Sequence, residues 1–499
     1  MSLLLCLFMA GYPNLLRPSQ LGREIEKITE EAPFREAIWG IAVYAPLRDR
    51  LLYVKNGQKN FRPASNMKIL TTLLAFEYLG PEFRFETEVG YTGRVENHTL
   101  EGDLVIRGGG DPGLSGHFVE GAFHTRDLMG LLVERIADSG IRHIRGDLLG
   151  AVDFFDRQAI QFSWEWDDIG RRYGTPVTPL SMNDGWIEIQ LSVDEEGGLA
   201  TEVFPEWNPD FELELNLTHE PGENTLESAR IWGGNRFLLT GNLPPCSEER
   251  LQFSAWDPSL QFLFGLKKWL WERGITVAGR ATLLETEANE TRYLASLDSP
   301  GLAALAQVLM KESQNHYADC FLKTTAKMVT GEGSFEKGSE LAREFLTEIA
   351  RWSAGPSGMS MRDGSGLSAQ NYVQPLQIVD LLAYGIGQPY RAQWLATFPV
   401  LGEEGTLERR GVGDGLAKGR VRAKTGYIFR SRSLSGYVET LSGEPLIFSM
   451  LANNYGGTTA QVNEAQDRIC EILVRLKPSR KVRRQPDSRL PFSRLVAKE

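Results

Sequence analysis

Apolar positions recur at helical spacing in two blocks of this chain and at strand spacing in the long stretch between them. Residues 20–32 place Leu21, Ile25 and Ile28 on one face of a charged segment, which predicts a surface helix ended by Pro33. Residues 39–44 and 50–54 read as a β-hairpin turning around Pro46 and Asp49. A helix over 66–79 follows Pro63 and stops at Gly80-Pro81. From 83 to about 291 the pattern changes to short apolar or alternating runs, such as Leu104-Val105-Ile106 and Phe237-Leu238-Leu239, separated by Gly, Pro and Asn. This block predicts a β-rich insertion with a few helices, one at 126–139. Helices are expected again at 302–311, 318–330 and 338–352, then antiparallel strands at 420–427, 433–439 and 446–452, and a closing helix near 462–476.

The 499 residues suggest about three domains at roughly 150 residues each. A 42% hydrophobic share supports a large core, and a net charge of −11 argues against a nucleic-acid binder. From Lys477 to the end, eight basic residues face two acids, broken by three prolines. That tail reads as disordered, either a plain solvated terminus or an electrostatic hold on an anionic membrane or wall polymer. The run Leu3 to Ala10 is too short to span a bilayer and has no basic segment before it. It is either a clipped export signal or an apolar strap for the first helix. Cys6, Cys246, Cys320 and Cys470 are too few for a disulfide framework, so unpaired buried thiols are expected. The six histidines form no ligand cluster, with His117 and His124 seven apart, and no cofactor or metal is expected.

Three short motifs carry candidate chemistry: Ser65-Asn66-Met67-Lys68, Ser313-Gln314-Asn315 and Lys424-Thr425-Gly426. Each is weak alone. Ser65 and Lys68 stand three apart at a helix start, hence on one face, where the helix dipole favours a developing anion. A serine hydroxyl needs a base, and lysine can serve if burial and nearby cations lower its pKa. The second motif falls on a loop between two helices. The third lies in an alternating run suited to an edge strand, to which a peptide can add.

In this order the motifs resemble the active-site serine enzymes acting on D-alanyl-D-alanine peptides or β-lactams. Within them the chain is similar to the class C low-molecular-mass penicillin-binding proteins, the D-alanyl-D-alanine carboxypeptidase/endopeptidase group. The interval from Ser65 to Ser313 is more than twice that from Ser313 to Lys424, as a large insert requires. The glycine run from Gly102 to Pro112, the turn Asp363 to Ser368, and the stretches 402–407 and 433–437 extend the likeness over 42–454.

The resemblance implies an α+β fold, a penicillin-binding-protein/β-lactamase-like transpeptidase domain (antiparallel sheet with helices) interrupted by a large β-rich insertion. Its parts would be a clipped signal at 1–19, transpeptidase segments at 20–82 and 292–476, the insert at 83–291, and the basic tail at 477–499. It implies a serine D-Ala-D-Ala carboxypeptidase, also an endopeptidase, acting on peptidoglycan stem peptides in the periplasm or cell envelope and acylated by penicillin. Ser65 would be the nucleophile and Lys68 its base, with Lys424 the nearby cation. Ser313 would relay protons, and Asn315 would fix Lys68 and the substrate amide. Lys424 and Thr425 would hold the substrate carboxylate, and Gly426 would let the substrate approach. The N–H groups of Tyr427 and Ser65 would form the oxyanion hole. Tyr427 departs from the small hydroxyl residue usual there. Asp153 would hold the free amine of the substrate's diamino acid, or is a surface Asp at a turn. The rival readings are a serine β-lactamase or esterase on the same fold, and a catalytically idle wall-binding protein. Glu212 to Asn216 fits a Glu-x-x-Leu-Asn deacylation pattern, but it alternates as a half-buried strand does and precedes Ser313, so it is read as structural.

Overall fold

The structure, a computed structural model, describes residues 20–115, 125–205, 209–284, 291–411 and 415–477. The leader-like run, His117, His124 and the tail beyond residue 477 lie outside the described residues. The chain divides into two compact units. Among the described residues, one takes the chain up to Asn66, Ile349–Met359 and the residues from Tyr372 on, and the other those within Met67–Glu348 and Ser360–Asn371.

The first unit is built on a five-stranded antiparallel sheet ordered Val421–Ile428, Ser431–Glu439, Pro445–Asn453, Ile38–Ala45, Arg50–Lys55. Its central strands read as continuous apolar runs because helices cover both faces. Gln20–Thr29 and Thr459–Val474 pack on one side, and Pro375–Gly385 packs on the other. Ile25, Ile41, Val43, Leu434, Phe448, Ile469 and Leu473 form that core. Gly40 is required in the strand, since a Cβ there would lie 2.6 Å from the Phe61 ring and 2.8 Å from Pro375. A two-residue turn, Phe429-Arg430 with Arg430 left-handed, joins the edge strand to its neighbour and fixes their register. The helix Pro375–Gly385 escaped the periodicity reading. Pro375 starts it, and the Gln374 amide nitrogen donates to Gln377 Oε1 at 2.8 Å.

The second unit gathers the helices Met67–Tyr78, Leu302–Lys311 and Asn315–Thr330 with the sheets of the insert. Met67–Tyr78 is buried nearly all round, which explains its predominantly apolar sequence. A five-stranded mixed sheet runs Ala281–Leu284, Leu148–Ala151, Leu104–Gly108, Glu86–Tyr91, Arg292–Asp298. The helices Thr125–Asp138 and Pro258–Glu272 contribute Met129, Ile136, Phe262 and Leu266 to its core. Two three-stranded sheets share a second core of Ile189, Leu191, Phe237, Leu239 and Phe253.

The partition at Met67 does not follow the expected limits of the insert, 83–291. Arg292–Asp298 pairs with Glu86–Tyr91, so the insert's sheet closes at 298. The helix Asn315–Thr330 is tied to the insert by Ser181 Oγ to His316 Nε2 at 2.9 Å and by Lys323 Nζ to Asp156 Oδ1 at 2.7 Å. That helix begins at Asn315 and the next at Phe335, each three residues earlier than the apolar spacing placed them. Cys320 and Cys470 are buried thiols as expected, but Cys246 is exposed. Among the described residues no helix is long and apolar enough to cross a membrane.

Candidate active site

In the first unit, the Ser65 turn is fastened to the sheet by side-chain hydrogen bonds. The 3-10 turn Ala64–Asn66 follows Pro63, with Ala64 left-handed. Ser433 Oγ donates to the Pro63 carbonyl at 2.6 Å, and Ser431 Oγ to that of Arg62 at 2.8 Å. The Arg62 N–H donates to Asn453 Oδ1, and the buried Asn66 Nδ2 to the Lys424 carbonyl, both at 2.8 Å. The turn therefore lies against the edge strand that carries Lys424-Thr425-Gly426. A Cβ on Gly426 would meet Ser433 Oγ, the Pro63 carbonyl at 2.7 Å and the Ser65 nitrogen at 2.9 Å. The Ser65 turn itself thus requires a glycine at this position.

Val421 and Ala423 bond outward to Leu401 and Pro399. By the strand's two-residue alternation, Thr425 and Tyr427 turn their N–H and C=O groups toward the same outer edge. Lys424 is fully buried and its Nζ donates to the Thr425 carbonyl at 3.0 Å. Thr425 Oγ1 donates to Thr406 Oγ1 at 2.9 Å. The Tyr427 ring is 53% exposed, with the Arg432 guanidinium 6.0 Å from its centre, so its bulk is carried outward.

In the second unit, Lys68 is wholly buried. Lys68 Nζ donates to Asn315 Oδ1 at 2.6 Å and to the Ser365 carbonyl at 2.7 Å. Asn315 Nδ2 in turn donates to the Tyr173 carbonyl at 2.9 Å. Asp319 Oδ1 accepts the N–H groups of Gly364 and Ser365 at 2.7 and 3.0 Å. Asp363 accepts from the N–H groups of Gly366 and Ser368, from Asn371 Nδ2 and from Trp164 Nε1, at 2.7 to 2.8 Å. Burial pushes the Lys68 amine well below the usual lysine range, while the Asp319 and Asp363 charges pull it back up. Burial, and then the Asp363 charge, push Asp319 up. Desolvation is the largest cause of the Lys68 shift, and the Asp319 and Asp363 carboxylates oppose it.

Ser313 is left-handed at φ 63°, a strained conformation for serine. Next to it, Gln314 Nε2 donates to Asp184 Oδ2 at 3.1 Å. Asp184 is fully buried and burial pushes its carboxyl up to about 7, against hydrogen bonds from Ser115, Tyr317 and Gln314.

The structure thus groups Ser65, Lys424, Thr425, Gly426 and Tyr427 in one unit, and Lys68, Ser313 and Asn315 in the other. Asp153 lies on an exposed turn after Leu148–Ala151, and neighbouring Asp156 is the one that pairs with buried Lys323. Asn66, Thr406, Ser365, Asp319, Asp184 and Tyr173 are contributors that motif reading passed over. Asn66, Thr406 and Ser365 lay inside stretches already singled out. Among the described residues no three His, Cys, Asp or Glu are grouped to hold a metal.

The profile of the D-Ala-D-Ala carboxypeptidase 3 (S13) family matches residues 21–476. The chain belongs to that family. It is 30% identical over 457 residues to the D-alanyl-D-alanine carboxypeptidase of Actinomadura sp. (strain R39), covering 88% of this chain and 82% of that one. It is 25% identical over 413 residues to D-alanyl-D-alanine carboxypeptidase DacB of Haemophilus influenzae, covering 80% and 82%. The fold matches the crystal structure of penicillin binding protein 4 (dacB) from Haemophilus influenzae with a TM-score of 0.75 at 22% identity, over 91% of this chain and 99% of that one. The chain is a serine-type D-Ala-D-Ala carboxypeptidase of α+β fold with antiparallel sheets.

Two outcomes follow for this S13 enzyme. Gly426→Ala should push the Ser65 turn off the strand and lower D-Ala release by about 100- to 1,000-fold, the loss typical of a displaced oxyanion donor. The kcat on a peptide ending in D-Ala-D-Ala reads this, and near-normal turnover would show that the turn yields freely. Asp184 has its own pH signature. The unfolded chain ionises this carboxyl near pH 4, while the folded chain keeps its proton up to about 7. Its burial therefore costs nothing below pH 4 and progressively more as pH rises toward 7. Asp184→Asn should gain thermal stability relative to wild type on going from about pH 4 to about pH 8, as paired melting curves would report.

Proposed function

We propose that Ser65 Oγ attacks the carbonyl carbon of the penultimate D-Ala of a peptidoglycan stem peptide. Lys68, whose amine burial pushes down toward the range of a general base, takes the hydroxyl proton. The N–H groups of Ser65 and Tyr427 receive the oxyanion, and Lys424 and Thr425 receive the terminal carboxylate. The C–N bond breaks, Ser313 passes a proton to the leaving D-Ala amine, and water hydrolyses the ester on Ser65. Asn315 keeps Lys68 in place throughout. The observation that carries this reading is the fully buried Lys68 held by Asn315 Oδ1 and the Ser365 carbonyl.

The same attack on a β-lactam ring would acylate Ser65; penicillin binding protein 4 of Haemophilus influenzae has been solved with a β-lactam. Glu212 lies on Phe211–Thr218, exposed and paired with Arg236 at 2.7 Å, which supports a slowly hydrolysed adduct over β-lactamase turnover. Cross-links ending on D-Ala offer the same bond, so endopeptidase activity belongs to this proposal. The substrate's location supports export to the cell envelope, with the basic tail as a wall or membrane contact.

Mass spectrometry after mixing with benzylpenicillin should find a covalent adduct on Ser65 lasting many minutes. Ser65→Ala should lose both the adduct and D-Ala release, whereas rapid penicilloate formation without an adduct would make the protein a β-lactamase. We also retain Asp153 as the partner of the substrate's side-chain amine. Asp153→Ala should then slow cleavage of stem peptides bearing a free amine and spare penicillin acylation. No loss on either would return Asp153 to the surface.

A further inference from the structure

The segment that bonds Asn315 also carries an exposed indole, Trp166, that the reaction above does not use. Trp166 is 68% exposed and its ring centre lies 4.1 Å from that of Trp232, stacked at 29°. Trp256 meets Trp232 edge-on at 5.1 Å. Trp232 and Trp256 are themselves 48% and 39% exposed. The three come from separate parts of the insert: the 161–173 loop, the turn between Glu227–Ile231 and Asn235–Asn242, and the residue pair after Glu248–Ser254.

This cluster is fixed in place. The Ser254 N–H donates to the Gly170 carbonyl at 3.1 Å, and the Trp256 N–H donates to Asn235 Oδ1 at 2.7 Å. The loop is also joined to the candidate site. Trp164 Nε1 donates to Asp363 at 2.8 Å, and the Tyr173 carbonyl accepts from Asn315 at 2.9 Å. Large apolar groups left in water on a rigid frame mark a surface that something covers. Asp167, next to Trp166 in the chain, and Arg171 on the same loop are exposed and bring both signs of charge to it, which disfavours a wholly apolar partner. A pyranose ring fits better: its C–H face stacks on an indole, while its hydroxyl and N-acetyl edge takes planar donors and acceptors.

We propose that Trp166, Trp232 and Trp256 form a sugar-stacking subsite for the N-acetylated glycan strand from which the stem peptide hangs. The proposal rests on the stem-peptide reading, because continuity with Asn315 identifies the occupant as another part of the same substrate polymer.

The test compares one pentapeptide free and attached to its N-acetylated disaccharide. Trp166→Ala/Trp232→Ala should leave D-Ala release from the free peptide within about twofold and raise KM for the disaccharide form by about tenfold, as a lost aromatic contact of 0.5–1.5 kcal/mol allows. Trp166→Phe should restore most of the loss. A tetramer of N-acetylglucosamine should quench wild-type tryptophan fluorescence saturably, and this response should weaken in the double variant. Equal kinetics on the two substrates in wild type, or equal loss on both in the variant, would overturn the subsite. If wild type released no D-Ala from either substrate, the reaction assignment would fail, and the tetramer titration alone would then decide the sugar site, absence of quenching overturning it.

Discussion

Lys68 is a lysine with no exposure to water, and its surroundings exist to make that tolerable. A buried polar group without partners costs about 2–7 kcal/mol, and an isolated charge far more. An amine donates in either protonation state needed here, so Asn315 must present Oδ1 to it. The Asn315 amide is held in that orientation by the Tyr173 carbonyl on its nitrogen side. The second acceptor, the Ser365 carbonyl, belongs to a turn whose N–H groups are bound by Asp319 and Asp363. Two short motifs and a distant turn are therefore one hydrogen-bonded network, in which each member fixes the next.

The other unit solves a different problem, bringing a strained turn within contact distance of a strand. Side-chain hydrogen bonds from Ser431, Ser433 and Asn66 supply the attraction, and the missing Cβ of Gly426 supplies the room. These residues sit at different points along the chain and act on the backbone, which makes them hard to rank by residue type. An Asn inside a Ser-x-x-Lys motif reads as filler until its amide is seen on the Lys424 carbonyl.

That contrast explains what was legible in the sequence. Motif order and the long interval before Ser313 pointed to the fold and to the chemistry, by resemblance. Most strands and helices followed from apolar spacing, since their buried faces are apolar. Asp184, Asp319 and Tyr173 were invisible because nothing local marks them: each acts through a partner far along the chain.

The helix Asn315–Thr330 shows how such hidden residues follow a pattern of their own. Asn315, Asp319 and Lys323 are spaced i, i+4, i+8, so they line one face over about 12 Å. In sequence this polar stripe interrupts the apolar one and delays the apparent start of the helix. In the structure it is half-buried at Asn315 and fully buried at Asp319 and Lys323, with each residue committed elsewhere. Asn315 binds Lys68, Asp319 binds the Gly364-Ser365 turn, and Lys323 binds Asp156 of the insert. Burying such groups is destabilising in itself, and the raised Asp319 carboxyl and lowered Lys323 amine record that cost. Proteins break local rules in this way chiefly where function needs it. Here one helix face aligns Lys68, its supporting turn and the insert, so a change in the insert that moves Asp156 would reach Lys68 through about two turns of a single rigid rod.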